Sequence, residues 1–317
     1  MPVHAISYTV TVDGTSIYIK SLSFSDGYKT PVTKLQFETD TASILWLGKQ
    51  VTASLTVGAI SGQIFSGYID DVSYARFPEI YEITASNDLR LAKEHWLVPA
   101  NLENPWSRSN IAAETLVRDL LAEAGLTNYS GTSSGFTFGT SSPAEFSIMS
   151  VLDAVEQINN ILAYTLYEDA STIYWKQLFP VPSGAASFTF STFSSISKTT
   201  GTENLRNKVV VFGKDGIRAE ASAVSAYLPS GFYQTAIVSS ELIGSQSMAD
   251  QSASYNLQLY NKLTEQLKID IEGEPRVKAR DTVHITYAPL SIDEDWFVYS
   301  LQHSFSDTFT TSMILRK

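Results

Sequence analysis

Two stretches decide how this chain is read: QIFSGYIDDVSY-ARFPE-IYEITA (63–85) and DWFVYSLQHSF-SDTF-TTSMILR (295–316). Each joins two runs of aromatic and branched residues across a short polar break, the signature of a long antiparallel hairpin. One lies near each end of the chain. The likeness is one of pattern, which chance and duplication explain equally well.

Outward from the first hairpin, residues 1–90 read as strands. ISYTVTV (6–12) alternates, Asp13-Gly14 makes a turn, and SIYIKSLSF (16–24) alternates again. KLQFE and QVTASLTV follow, with turn residues at Asp26-Gly27, Gly58, Gly62 and Pro78. Short strands at this spacing imply a small antiparallel barrel or sandwich. Outward from the second hairpin, QLKIDIEG and DTVHITY are two more strands.

The middle changes period. IAAETLVRDLLAEAG is a helix with Asn110 as N-cap and Gly125 as stop, its buried stripe formed by Leu116, Val117, Leu120, Leu121 and Ala124. Ser150 and Asp153 form a capping-box-like start for a second helix with the stripe Val151, Val155, Ile158 and Leu162. A hairpin around Asp169-Ala170-Ser171 completes a helix–helix–hairpin module. Residues 181–200 are rich in Ser and Thr, a loop or edge structure. NKVVVFG, Asp215-Gly216 and IRAEASAV return to β, and a third helix spans about 243–265. The expected fold is therefore mainly β with an α+β insert. Two antiparallel β-barrel-like domains (1–100 and 201–317) flank the helix–helix–hairpin module (101–200).

Composition narrows the function. The 317 residues include 70 Ser or Thr, 16 Tyr and 16 Phe, while charged residues reach only 17%. Polar faces are thus built more from hydroxyls than from ions. No cysteine is present, which excludes disulfide scaffolds, thiol catalysis and zinc ribbons. No 18-residue apolar run occurs, and MPVHAISYTV lacks the basic-then-apolar order of a secretion signal. The net charge of −11 is spread over all thirds of the chain, so there is no basic footprint for nucleic acid.

Chemistry-bearing candidates are weak. Gly131-Thr-Ser133-Ser-Gly135 matches a nucleophile elbow but sits in a Gly/Ser/Thr loop without the required strand and helix. His4, His95, His284 and His303 lack metal-ligand spacing and read as structural or surface residues. Asp70-Asp71, Glu168-Asp169 and Asp293-Glu294-Asp295 could supply a glycosidase pair, yet adjacent acids on a strand face opposite ways. The expectation is no catalytic, cofactor-binding or metal residues, and no enzyme. The alternative is a protein that degrades or binds polysaccharide or peptidoglycan through these acids and the aromatic residues.

The order of modules resembles the phage tail baseplate hub family: the T-even hub, the late control D proteins and the amino-terminal part of type VI secretion spikes. The resemblance is carried by IFSGYIDDVSY, ITASNDLRLAKEHW, IAAETLVRDLLAEAGL, SVLDAVEQINNILAYTLYED with STIYW, ENLRNKVVVFGKDG, and LKIDIEGEPRVKARDTVHI. The last matches a G-x-P…G-D-x-V segment through Gly273, Pro275, Asp281 and Val283. Arg280 stands where the family commonly has Gly. ENLRNKVVVFGKDG resembles the strand re-entering the second barrel, and residues 181–200 match nothing in the family.

The resemblance implies a homotrimeric ring that adapts a sixfold tail tube to a threefold tip. Its partners would be other copies of itself, the tail tube or a distal tail protein, a spike or fibre protein, and a tape-measure protein. DNA would pass without specific binding. The protein would reside in the virion, at the tail baseplate or tip, after assembly in the host cytoplasm.

Overall fold

The computed structural model describes residues 6–76, 80–99, 101, 104–140 and 143–317. The chain divides into two compact units, and the chain passes between them more than once. One unit contains Met1–Asp88, Pro180–Thr199 and Glu265–Lys317; the other contains Leu89–Phe179 and Thr200–Thr264. The expected spans 1–100, 101–200 and 201–317 do not coincide with these units.

The first unit is built on one 13-stranded sheet. Its first strands are β1 (Ile6–Val12), β2 (Thr15–Ile17), β3 (Ser21–Gly27), β4 (Thr30–Thr39), β5 (Gln50–Val57), β6 (Ile60–Arg76) and β7 (Ile80–Ser86). Later in the chain, Phe188–Phe190, Ser195–Gly201, Thr264–Glu272, Thr282–Tyr287, Ile292–Phe305 and Phe309–Arg316 join the same sheet. Strict alternation explains the layering. In β5 every second residue is buried, from Val51 to Val57, and in 309–316 the buried set is Phe309, Thr311, Met313 and Leu315. One face of each strand is therefore apolar, as a half-buried antiparallel sheet requires. Both terminal regions feed one core, in which Leu35, Phe37, Leu55 and Ile83 share a cluster with Leu267, Ile269, Trp296 and Met313.

Both long hairpins are present, β6 with β7 and 292–305 with 309–316. Asp13 and Gly14 take positive φ in the β1–β2 turn, and Gly58 does so between β5 and β6. Gly62, expected in a turn, instead lies inside β6, and Pro78 falls outside the described residues. The sheet does not close into a barrel, because its end strands are β2 and 195–201.

A single topology occurs twice in this sheet. In the first set the lateral order is β3-β4-β7-β6-β5-β1; in the second it is 195–201, 264–272, 309–316, 292–305, 282–287, 188–190. The strands take the same lateral places in the same chain order. The register repeats as well. Gln50 faces Tyr68, which faces Ser86; Thr282 faces Phe297, which faces Arg316. Each long strand carries a bulge two residues further on, at Asp70 and at Tyr299. One difference is orientation at the far end, where β1 is antiparallel to β5 but 188–190 is parallel to 282–287. Residues 181–200, read from sequence as a loop or edge structure, thus supply nearly all of the first two strands of the second set.

The second unit contains helices α1 (Leu89–Glu94), α2 (Ala113–Glu123), α3 (Val151–Leu162) and α4 (Gln246–Tyr260). The expected stripes of α2 and α3 are buried, except that Ala124 is only partly so. Ser150 caps α3, its hydroxyl accepting from the Asp153 N–H at 3.0 Å. Asn110 is not the N-cap of α2; it takes φ 49° in a turn and Ala112 occupies the cap without a side-chain bond. The hairpin Tyr164–Asp169/Thr172–Gln177 turns through Ala170 and Ser171, both at positive φ.

Lys208–Phe212, expected to re-enter the second barrel, instead forms a three-stranded sheet with Arg218–Ser222 and Thr235–Ser239 in this unit. Helix α4 also belongs here. A short apolar run marks a strand but not the sheet it joins, and a helical stripe marks a buried face but not what packs on it. Helix α4 buries Ser252 and Asn256, and these polar groups complete α3. Ser252 donates to the Ile161 carbonyl at 2.7 Å, and Asn256 donates to those of Asn160 and Ile161, both at 3.1 Å. The last carbonyls of a helix otherwise lack donors. Replacing Asn256 with Leu is expected to lower stability by about 1–3 kcal/mol, the cost of leaving buried acceptors unpaired. Chemical denaturation measures it; an unchanged midpoint would show that the carbonyls do not need this donor.

Candidate functional site

The backbone between 272 and 282 is held from three directions. Gly273 lies against Phe309 so closely that a Cβ would stand 1.9 Å from its ring. Gly62 of β6 approaches Pro275 so closely that a Cβ would stand 2.7 Å from its carbonyl oxygen. Glu274 and Arg276 form a bidentate ion pair, both contacts at 2.8 Å. The Phe309 contact accounts for Gly273, and the Pro275 carbonyl accounts for Gly62.

Beneath this segment is His303, 1% exposed. The Thr311 hydroxyl accepts from the Glu274 N–H at 3.1 Å and donates to His303 Nδ1 at 2.9 Å. His303 Nε2–H donates to the Val277 carbonyl at 3.3 Å. The carbonyl fixes the proton on Nε2, and in the neutral ring Nδ1 is then the acceptor. Burial drives the His303 pKa down to about 4.

Arg280 adopts φ 79°. The glycine expected at this position from the family pattern would satisfy the same backbone without steric cost. The arginine performs a second task. Its guanidinium grips both carboxylate oxygens of Asp26 at 3.0 and 3.1 Å and donates to the Gly27 carbonyl at 2.7 Å. The two side chains are only 9% and 11% exposed. Asp26 is in β3, which pairs with residues 300–305 of the last long strand. The ion pair therefore braces the seam between the two six-strand sets, where His303 faces Phe24 and Leu301 faces Asp26.

Most of the chemistry-bearing candidates lie on separate elements. Ser133 is exposed in the segment after the Tyr129–Gly131 strand, and no helix follows it. His4 lies outside the described residues. His95 follows α1 and its backbone carbonyl accepts from Val151. Asp70 accepts a hydrogen bond from Ser86 at the β6 bulge, while Glu168-Asp169 ends a strand of the other unit. Among the described residues, no group of three or more His, Asp or Glu side chains is placed to hold a metal ion.

One candidate set does come together. His284 Nδ1 is 2.7 Å from Asp295 and its Nε2 is 3.1 Å from Asp293, while Glu294 turns away to Lys317. Alternation put Asp293 and Asp295 on one face, and the register puts His284 opposite Asp295. Hydrogen bonding to Asp295, then to Asp293, raises the His284 pKa. Proton NMR should therefore show His284 titrating above 6.5. Its contribution to stability is complete below the unfolded-state pKa near 6.5 and is lost as pH rises through the higher folded value. A titration midpoint below 6.5 would contradict the geometry.

No family model matches this sequence, and no curated protein sequence does either. Solved structures do match. The tail protein from Neisseria meningitidis MC58 aligns over 99% of this chain and 97% of its own, at 11% identity and TM-score 0.72. The 43 kDa tail protein of prophage MuSo2 from Shewanella oneidensis aligns over 98% and 96%, at 10% identity and TM-score 0.69. The E. coli c3393 protein is a type VI secretion component with structural similarity to the T4 tail proteins gp27 and gp5. It aligns over 96% of this chain and 76% of its own, at 10% identity and TM-score 0.58. Across nearly its whole length, this chain has the fold of phage tail proteins and of a type VI secretion component built on the same plan.

Proposed function

We propose that this chain is a structural hub of a phage or phage-derived tail tip, without catalytic activity. The observation that carries the proposal is the doubled topology of the large sheet, joined to a fold found in tail proteins. A chain that contains two similar six-strand sets can present six similar units as three copies. Such a homotrimeric ring meets a sixfold tail tube on one side and a threefold spike or fibre on the other. Its interfaces are heterologous, each surface meeting a different one on the next copy, and they close after three copies. Partners are the tube or a distal tail protein, the spike or fibre, and a tape-measure protein. The central opening lets DNA through without gripping it, since a chain of net charge −11 is a poor phosphate binder. The protein acts in the virion after assembly in the host cytoplasm.

The test is the mass of the complex released from assembled tails, measured by light scattering. Three copies per complex are expected, and a monomer in the assembled tail overturns the proposal. Cell-wall zymography separates the rival reading. Clearing that is lost when Asp70, Asp71, Glu168 or Asp169 is changed to Ala would establish a hydrolase instead.

A further inference from the structure

The doubled topology leaves one seam made and one unmade. In the made seam, residues 300–305 lie beyond the end of the 282–287 strand and pair antiparallel with β3. Their counterparts in the first set are residues 71–76 of β6, which lie beyond the end of β5. There β6 pairs with β7 on one side only, and no described strand lies on the other. The counterpart of β3 is Ser195–Gly201, an end strand of the sheet. The equivalence is fixed by backbone bonds. Lys20 N–H donates to the Glu38 carbonyl just before β3, and Ser194 N–H donates to the Asp270 carbonyl just before 195–201. From that point Ser21 and Ser23 recur as Ser195 and Ser197, Leu22 as Ile196, and Gly27 as Gly201, while the three residues between differ.

We propose that residues 71–74 of one copy pair antiparallel with residues 198–201 of the next, reproducing between chains the seam that 300–305 makes with β3 within one. Transferring the register places Ser73 opposite Thr199 and Val72 opposite Thr200. The burial pattern supports an absent cover. Leu301 and Leu22, in the made seam, are both 3% exposed. Their counterparts Val72 and Ile196 pack on the same core yet remain only partly buried. Open strand edges are also a liability that a partner strand removes. The two edges differ, so pairing is head to tail, as a closed ring requires.

The two seams differ in one respect. The counterpart of Arg280 is Gly48: both take positive φ, and each N–H donates to the strand residue before the bulge, Val298 or Ile69. The counterpart of Asp26 is Thr200. The interchain seam thus lacks the ion-pair brace, which suits a joint that forms only on assembly.

The inference rests on the proposed function only in requiring that copies associate. Because the chain has no cysteine, Ser73→Cys with Thr199→Cys is a clean probe. Directly opposed Cα atoms in an antiparallel pair lie about 4.5–5.5 Å apart, within disulfide range. Ser25→Cys with Gln302→Cys, which face each other within one chain, is the positive control. Mild oxidation of assembled complexes is expected to give reducible dimers and closed trimers from the double variant. The two single variants mixed should give dimers only. Complexes of normal mass without a 73–199 crosslink, while the control pair oxidises, would place the joint elsewhere and leave the ring standing. If the chain is a monomer even within assembled tails, both the joint and the ring fall.

Discussion

Changing Arg280 to Ala is expected to cost about 3 kcal/mol, the low end of what breaking a buried ion pair costs by removing one partner. The Asp26 carboxylate would stay largely buried and lose both guanidinium bonds, and the Gly27 carbonyl would lose a donor. The low end applies because Asp26 still accepts from the Gly27 N–H at 2.6 Å. Arg280→Gly separates two contributions. It loses the same ion pair but relieves a left-handed backbone, worth about 1–2 kcal/mol in an L-residue. The Gly variant should therefore be more stable than the Ala variant by about that amount. Urea unfolding of the three proteins measures both differences. An Ala variant within about 0.5 kcal/mol of the parent, the usual range for surface changes, would show that the seam does not depend on this brace.

Acidification provides the second large effect. Between pH 6.5 and about 4 the unfolded chain protonates at His303 while the folded chain does not. The depressed folded pKa means that this stability is complete above pH 6.5, falls with pH, and levels off below about 4. A shift of that size corresponds to roughly 3 kcal/mol at 1.36 kcal/mol per pKa unit. His303→Gln removes the titration and keeps a donor for Val277. Stability of the parent and the variant, measured from pH 7 to pH 4, should converge by that amount beyond any shared loss from carboxylates. Parallel curves would mean that His303 protonates without cost. The partly buried His284 acts in the opposite sense, losing its contribution as pH rises, so comparing the two histidines checks the sign.

Local structure was largely legible in the sequence because local rules governed it. Alternation marked the hairpins at 63–85 and 295–316, and Ser150 with Asp153 marked the start of α3. What the sequence concealed was pairing at a distance. Residues 208–212 are a short apolar run with three consecutive buried valines, and nothing local assigns them to one sheet rather than another. Residues 195–201 contain a single large apolar residue, Ile196, because an edge strand buries little; composition left loop and edge structure open, and the structure shows the edge. Asn110 has the chemistry of an N-cap but is spent on a left-handed turn. Among the candidate residues, the His284 cluster was accessible from alternation and the last hairpin. The Arg280 brace was not, since its partner is 254 residues away in sequence. Arg280 was visible only as an unusual residue at a glycine position. The structure gives that departure a purpose, and Gly48 holds the corresponding place in the first set.

The most direct test of the account is electron microscopy of the complex formed by this chain, averaged without imposed symmetry. The account predicts a closed ring of three chains whose rim shows six similar β lobes. A ring of another copy number, or three chains arranged with only three β lobes on the rim, would contradict it.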